Sequence, residues 1–131
     1  MDILKPSGWP RPSGYAHGVA ASGRLVAVAG QIGWDPATGT LAGDDFADQA
    51  RQALANIAAV LREAGAEPRH VVRLTWYITD RAEYAARSAA VGDAYRAVFG
   101  THYPAMSVVV VAGLLEPRAK VEIEATAVIP R

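Results

Sequence analysis

The stretch Ala119-Lys120-Val121-Glu122-Ile123-Glu124-Ala125-Thr126-Ala127-Val128 decides the fold. It alternates strictly. Val121, Ile123, Ala125 and Ala127 point one way, while Lys120, Glu122, Glu124 and Thr126 point the other, as in a strand covered on one face. Just before it lies Tyr103-Pro104-Ala105-Met106-Ser107-Val108-Val109-Val110-Val111-Ala112-Gly113-Leu114. This β-branched block predicts a second strand, buried on both faces. Carboxylates on a strand beside such a neighbour must face water, a partner chain or a pocket.

Upstream, Val71 to Thr79 predicts another strand, with Thr75, Trp76 and Tyr77 supplying bulk. A helix is expected from Arg81 to Phe99. Asp80 and Glu83 give it an Asp version of the capping box, and Gly100 ends it. Its apolar side is Tyr84, Val91, Tyr95, Val98 and Phe99. An earlier helix is expected from Phe46 to Ala64, where Phe46, Ala50, Ala53, Leu54, Ile57, Val60, Leu61 and Ala64 share a face. Asp44 or Asp45 can cap it and Gly65 can end it. The short runs Tyr15 to Ala21 and Leu25 to Gln31 flank Ser22-Gly23, a hairpin signal. Residues 1–13 read as irregular, and Trp34 to Gly39 as a turn cluster with room for one short strand.

The order is β-β-α-β-α-β-β, and residues 1–131 read as a single domain. The economical fold class is α+β: a single mixed β-sheet with two helices packed on one face. The other sheet face then has nothing in the chain to cover it, which predicts burial by another subunit.

Composition narrows the function classes. The chain holds 13 basic and 13 acidic side chains, a formal net charge of zero, without the basic surplus of a nucleic-acid binder. There is no cysteine, which excludes disulfides, thiol nucleophiles and zinc-thiolate sites. His17, His70 and His102 show no metal-ligand spacing, and neither a phosphate loop nor a Gly-x-Ser-x-Gly elbow is present. No metal or cofactor is therefore expected. The start, Met1-Asp2-Ile3-Leu4-Lys5-Pro6, lacks the pattern of a signal peptide, and no apolar run approaches the ~20 residues of a membrane span. The expectation is a cytoplasmic protein without a membrane partner.

Several motifs together resemble the Rid family, also called the YjgF family, whose members include imine and enamine deaminases. They are Gly14-Tyr15, Gly30-Gln31-Ile32, Asp35-Pro36-x-Thr38-Gly39, Gln49-x-x-Gln52-Ala53-Leu54-x-Asn56, Pro104-Ala105 with Ser107, Gly113-Leu114 and Val121-Glu122-Ile123. The resemblance spans nearly the whole chain. It implies a chorismate-mutase-like fold, a homotrimer with a barrel-like core, and pockets for a small-molecule substrate or ligand at the subunit interfaces.

The chain departs from the pattern at two places, one being the proline of a Gly-Pro-Tyr element that Gly14-Tyr15 lacks. The signature Pro-Ala-Arg-Ser has Met106 where the arginine stands, and in the deaminases that arginine grips the substrate carboxylate. Methionine donates no hydrogen bond and fills apolar space, so Met106 is also explained as core filler. Arg118, Lys120, His17 and His102 are candidate substitutes for the lost charge. The resemblance makes Glu122 the residue that handles water and protons, an ordinary task for a carboxylate in a cleft. The bland alternative is a strand-face glutamate paired with Lys120 or Arg118. Tyr15 is implied to line the pocket, with an amphipathic strand-end tyrosine as alternative. His17, two residues on, shares its face. Gly30 is a close-approach position or a strand bend. Ala105 and Ser107 flank Met106 and offer backbone groups. Trp34, Trp76 and Tyr103 are candidates for an aromatic wall, though core packing is the favoured reading of Trp76. His70, just before a strand, reads as solvated. The expected activity is water attack on a C=N bond with release of ammonia, on a substrate other than the usual 2-imino acids. A trimeric binding protein that keeps the pocket without the chemistry is the alternative.

Overall fold

The alternation around Val121 becomes an interior strand. The computed structural model describes residues 1–131. Along the chain run β1 (Asp2–Leu4), β2 (Gly18–Ala20), β3 (Arg24–Ile32), β4 (Trp34–Asp35), β5 (Thr40–Leu41), α1 (Phe46–Glu63), β6 (Val71–Ile78), α2 (Arg81–Ala86), α3 (Ser88–Phe99), β7 (Ala105–Val110) and β8 (Val121–Ile129). A single 3-10 turn, Pro68–His70, leads into β6. The main sheet has the order β3-β8-β6-β7, with only β6 and β7 parallel. The expected α+β fold with one mixed sheet is what forms. Two short ribbons, β1 with β2 and β4 with β5, lie outside it.

The core follows from the period of each element. Val121, Ile123, Ala125 and Ala127 of β8 join Leu74, Trp76 and Ile78 of β6 in one cluster of 20 buried residues. Phe46, Ala50, Leu54, Ile57 and Leu61 of α1 enter the same cluster, with Val91, Tyr95 and Phe99 of α3. Burying each large apolar side chain contributes roughly 1.5–3 kcal/mol, so α1 is held by its face rather than by propensity.

Four expectations are corrected. The run Tyr15 to Ala21 does not pair with β3, because Gly18–Ala20 takes its partner from Asp2–Leu4, inside the segment read as irregular. The valine block is not buried on both faces: β7 lies at the sheet edge, with Val108, Val109 and Val110 exposed. The second helix breaks at Arg87, whose guanidinium donates twice to Asp45 (2.9 and 3.1 Å). Asp45 also caps α1 by accepting from Asp48 N at 3.0 Å. Finally, His70 is buried and its Nδ1 accepts from Glu67 N at 3.0 Å, closing the 3-10 turn. The hydrogen-bonded Arg87 guanidinium holds the Asp45 carboxyl below its usual range. This contact therefore stabilises the fold at neutral pH and fades only as pH falls below the ordinary carboxylate value of about 4.

Two buried amides fasten α1 to the sheet. Gln49, fully buried, donates from Nε2 to Gly43 O (2.8 Å) and Arg118 O (3.2 Å), and its Oε1 accepts from Lys120 N (2.8 Å). Asn56 donates to Ile32 O (3.3 Å) and Trp34 O (2.8 Å). Gly33 lies so close to α1 that a Cβ there would be 2.5 Å from Gln49 Cα. Replacing Gln49 with Leu keeps the volume and strands a buried N–H and two carbonyls. The expected loss is about 2–4 kcal/mol in urea unfolding. A loss inside the ~0.5 kcal/mol typical of surface substitutions would show that the amide is not a fastening.

Candidate functional site

Glu122 sits between core residues Val121 and Ile123, so its side chain leaves from the sheet face that carries no helix. It is half-buried and lies across from Ile32 on β3 and Tyr77 on β6. The register of β3 slips between Val28 and Gln31, and Gly30 occupies the irregularity. A Cβ at Gly30 would fall 2.4 Å from Glu122 Oε2, so the glycine makes room for the carboxylate. Neither cation offered as an ordinary partner reaches Glu122. Lys120 pairs with Glu83 at 2.8 Å and Arg118 with Asp44 at 3.1 Å. Glu122 makes no ion pair. Beside it, Tyr77 donates its hydroxyl to Glu124 Oε1 at 2.7 Å. The Glu124 hydrogen bond first, then burial, then the Glu124 and Glu122 charges push the Tyr77 phenol up from its usual value. Ser107, opposite Thr75, belongs to this same face.

Met106 lies on the opposite face, next to Leu74 in register and packed against the core. It lines a cavity of about 1280 Å³ between the N-terminal segment, α3 and the start of β7. The segment is pinned there by Ala16 N donating to Pro104 O at 3.0 Å and by a bridge between Ala16 and Ala105. That pairing brings Tyr15 and His17 to the cavity, edge to face at 5.2 Å, with Trp9 edge to face on His17 at 4.9 Å. Trp76 and Tyr103 complete an aromatic lining. The Trp76 indole N–H is buried without a partner, so this ring serves by its apolar area. His102 also lines the cavity, with Nε2 held at 2.7 Å by Val71 O.

The sequence-derived candidates thus divide. Tyr15, His17 and Met106 come together at the cavity, Glu122, Gly30 and Ser107 belong to the open sheet face, and Ala105, bridged to Ala16 and opposite Arg73 in register, is not part of the cavity lining. Trp34 joins neither group, since the β4–β5 ribbon holds it apart, and it does not share a wall with Trp76 and Tyr103. Arg118 is committed to Asp44 and is absent from the cavity lining. Sequence reading missed Arg96, which lines the cavity from α3. Its sequence signal was its place one turn beyond Gly92 on the helix. No helix is long and apolar enough to cross a membrane.

Comparison with known proteins gives a consistent result. A family model described as endoribonuclease L-PSP matches residues 10–129. The chain is similar to a 2-iminobutanoate/2-iminopropanoate deaminase of Capra hircus, 38% identical over 106 residues that cover 80% of this chain and 73% of that one. It is also similar to a RutC family protein of Synechocystis, 39% identical over 132 residues covering 99% and 98% of the two chains. Among solved structures, YyfB of Yersinia pestis, a protein of unknown function of the conserved Rid family, superposes with a TM-score of 0.85 at 36% identity, over 98% of each chain.

The Tyr77–Glu124 contact is directly measurable. Glu124→Gln removes the charge that holds the phenol proton, so Tyr77 should ionise at lower pH than in the unaltered protein. Tyrosinate absorbance followed through an alkaline titration reads this, and an unchanged curve would show that the contact is not kept in solution.

Proposed function

Because the chain belongs to the Rid family, the family described as endoribonuclease L-PSP, we propose that it is a hydrolytic imine or enamine deaminase whose substrate is not one of the usual 2-imino acids. The observation that carries this reading is Glu122: half-buried, seated over a glycine, and free of the cations that would give it a merely structural role. Relatives named as 2-iminobutanoate/2-iminopropanoate deaminases supply the reaction type. Water attacks the C=N carbon. Glu122 takes a proton from that water and delivers it to the nitrogen, giving a carbinolamine; it then carries the hydroxyl proton to the same nitrogen, the C–N bond breaks, ammonia leaves and a carbonyl remains. Tyr15 and backbone groups between Ala105 and Ser107 orient and polarise the substrate.

Within one chain, Glu122 and Met106 lie on opposite sheet faces and two strands apart. The reading therefore places the reacting centre between copies, in a homotrimer of single-domain chains of residues 1–131. The exposed apolar residues Leu25 and Val109, on the same open face as Glu122, support it. A second reading, a trimeric binding protein without turnover, is favoured by Met106 itself, which cannot hold a carboxylate.

Ammonia release decides between the two. The protein should turn over an aromatic imine and act slowly on 2-iminobutanoate. Glu122→Gln should lower turnover by roughly 100-fold or more, the usual weight of a general acid–base. Met106→Arg should raise activity on 2-iminobutanoate. Fast turnover of 2-iminobutanoate by the unaltered protein would sink the specificity claim, and silence on both substrates would leave the binding-protein reading in its place.

A further inference from the structure

The cavity beside Met106 is too large and too aromatic for a four-carbon imino acid. Its volume of about 1280 Å³ exceeds the roughly 300–1,000 Å³ of ordinary small-molecule pockets. Trp9, Tyr15, His17, Trp76 and Tyr103 present rings to it, and Met106 adds a soft apolar wall. Such a lining attracts a planar ring system.

The same cavity has one cation supplied by regular secondary structure. Arg96 projects from α3, whereas Lys5 and Arg11 reach the cavity from the irregular stretch between β1 and β2. Gly92, one turn earlier, leaves space over the helix: a Cβ there would come within 3.2 Å of Arg96 Nη1. Arg96 donates from Nη2 to Asp93 Oδ1 at 2.7 Å. Asp93 is 73% exposed, so that pair is worth little and leaves most of the guanidinium donors unused. Asp93 first, and the Tyr103 hydroxyl second, push the Arg96 guanidinium up from its usual range. Arg118 and Lys120 are tied to Asp44 and Glu83 and do not line the cavity.

We propose that Arg96 is the anion-binding residue of this cavity, and that the ligand it selects is a planar aromatic or heteroaromatic acid. The rings lie among Trp9, Tyr15, His17 and Tyr103, and the acid group meets the planar fork of Arg96. This rests on the reading that the Met106 cavity holds the substrate. It turns the loss of an arginine at position 106 into a change of specificity, with the charge delivered from α3 instead of from β7.

Calorimetric titration of the full chain tests it, with 2-naphthoate, 2-naphthamide and 2-oxobutanoate as probes. Naphthoate should bind at least tenfold more tightly than either of the others. Arg96→Gln should weaken naphthoate at least tenfold and leave naphthamide unchanged, while Arg96→Lys should recover part of the loss. Arg96 is on the surface, so unchanged melting temperatures should accompany these effects. Equal binding of naphthoate and naphthamide, or naphthoate binding indifferent to Arg96→Gln, overturns the inference. Ammonia release measured on the same proteins separates the two readings. Arg96-dependent binding without any turnover overturns the deaminase reading alone, and imine turnover with Arg96-independent binding overturns this inference alone.

Discussion

The buried amide of Gln49 is the contact on which the other arrangements depend. It joins three pieces of chain that are far apart in sequence: the loop at Gly43, the helix α1, and the entry to β8 at Arg118 and Lys120. Each of its two donors and its acceptor is used, so a slip of one residue at the start of β8 would strand several polar groups in a dry environment. That slip would also turn Glu122 into the core and Ile123 out of it. The position of the Glu122 carboxylate is thus set by a side chain on the opposite side of the sheet.

The sheet imposes a division of labour. Its helix-bearing face supplies the core and the aromatic cavity at Met106, and its open face carries Glu122, Glu124, Tyr77, Leu25 and Val109. Two half-buried carboxylates beside exposed apolar residues are an awkward surface for a lone chain in water. Covering that face with further copies would remove the apolar exposure. The charge that is missing from position 106 reappears at Arg96 on α3, across the same cavity.

Residues with a strict period are legible from the amino-acid order. The β8 alternation places Glu122 opposite to the core side chains, and the α1 stripe reads to within one residue of Phe46–Glu63. The motif Gln49-x-x-Gln52-Ala53-Leu54-x-Asn56, read as a family mark, is the polar seam that locks α1 to the sheet. The failures have physical causes. Ser22-Gly23 is a sound turn signal, yet β2 pairs with Asp2–Leu4, a partner that no local pattern announces. The break at Arg87 has no glycine or proline, because the grip of Asp45 from α1 holds it. His70 is buried because its ring closes a turn with Glu67 N, which its place before a strand does not reveal.

Residue type and short-range period were enough for the main elements and for the apolar side of β8, and the quoted motifs carried the family resemblance and its departure at Met106. All of these are local properties of the chain. Which candidates meet was settled only by packing. Packing gave Lys120 and Arg118 to Glu83 and Asp44, left Glu122 unpaired over Gly30, set Trp34 apart, and carried Arg96 to the Met106 cavity. Pairings across dozens of residues follow from how strands are ordered and helices packed, and the period of a segment carries no information about that order.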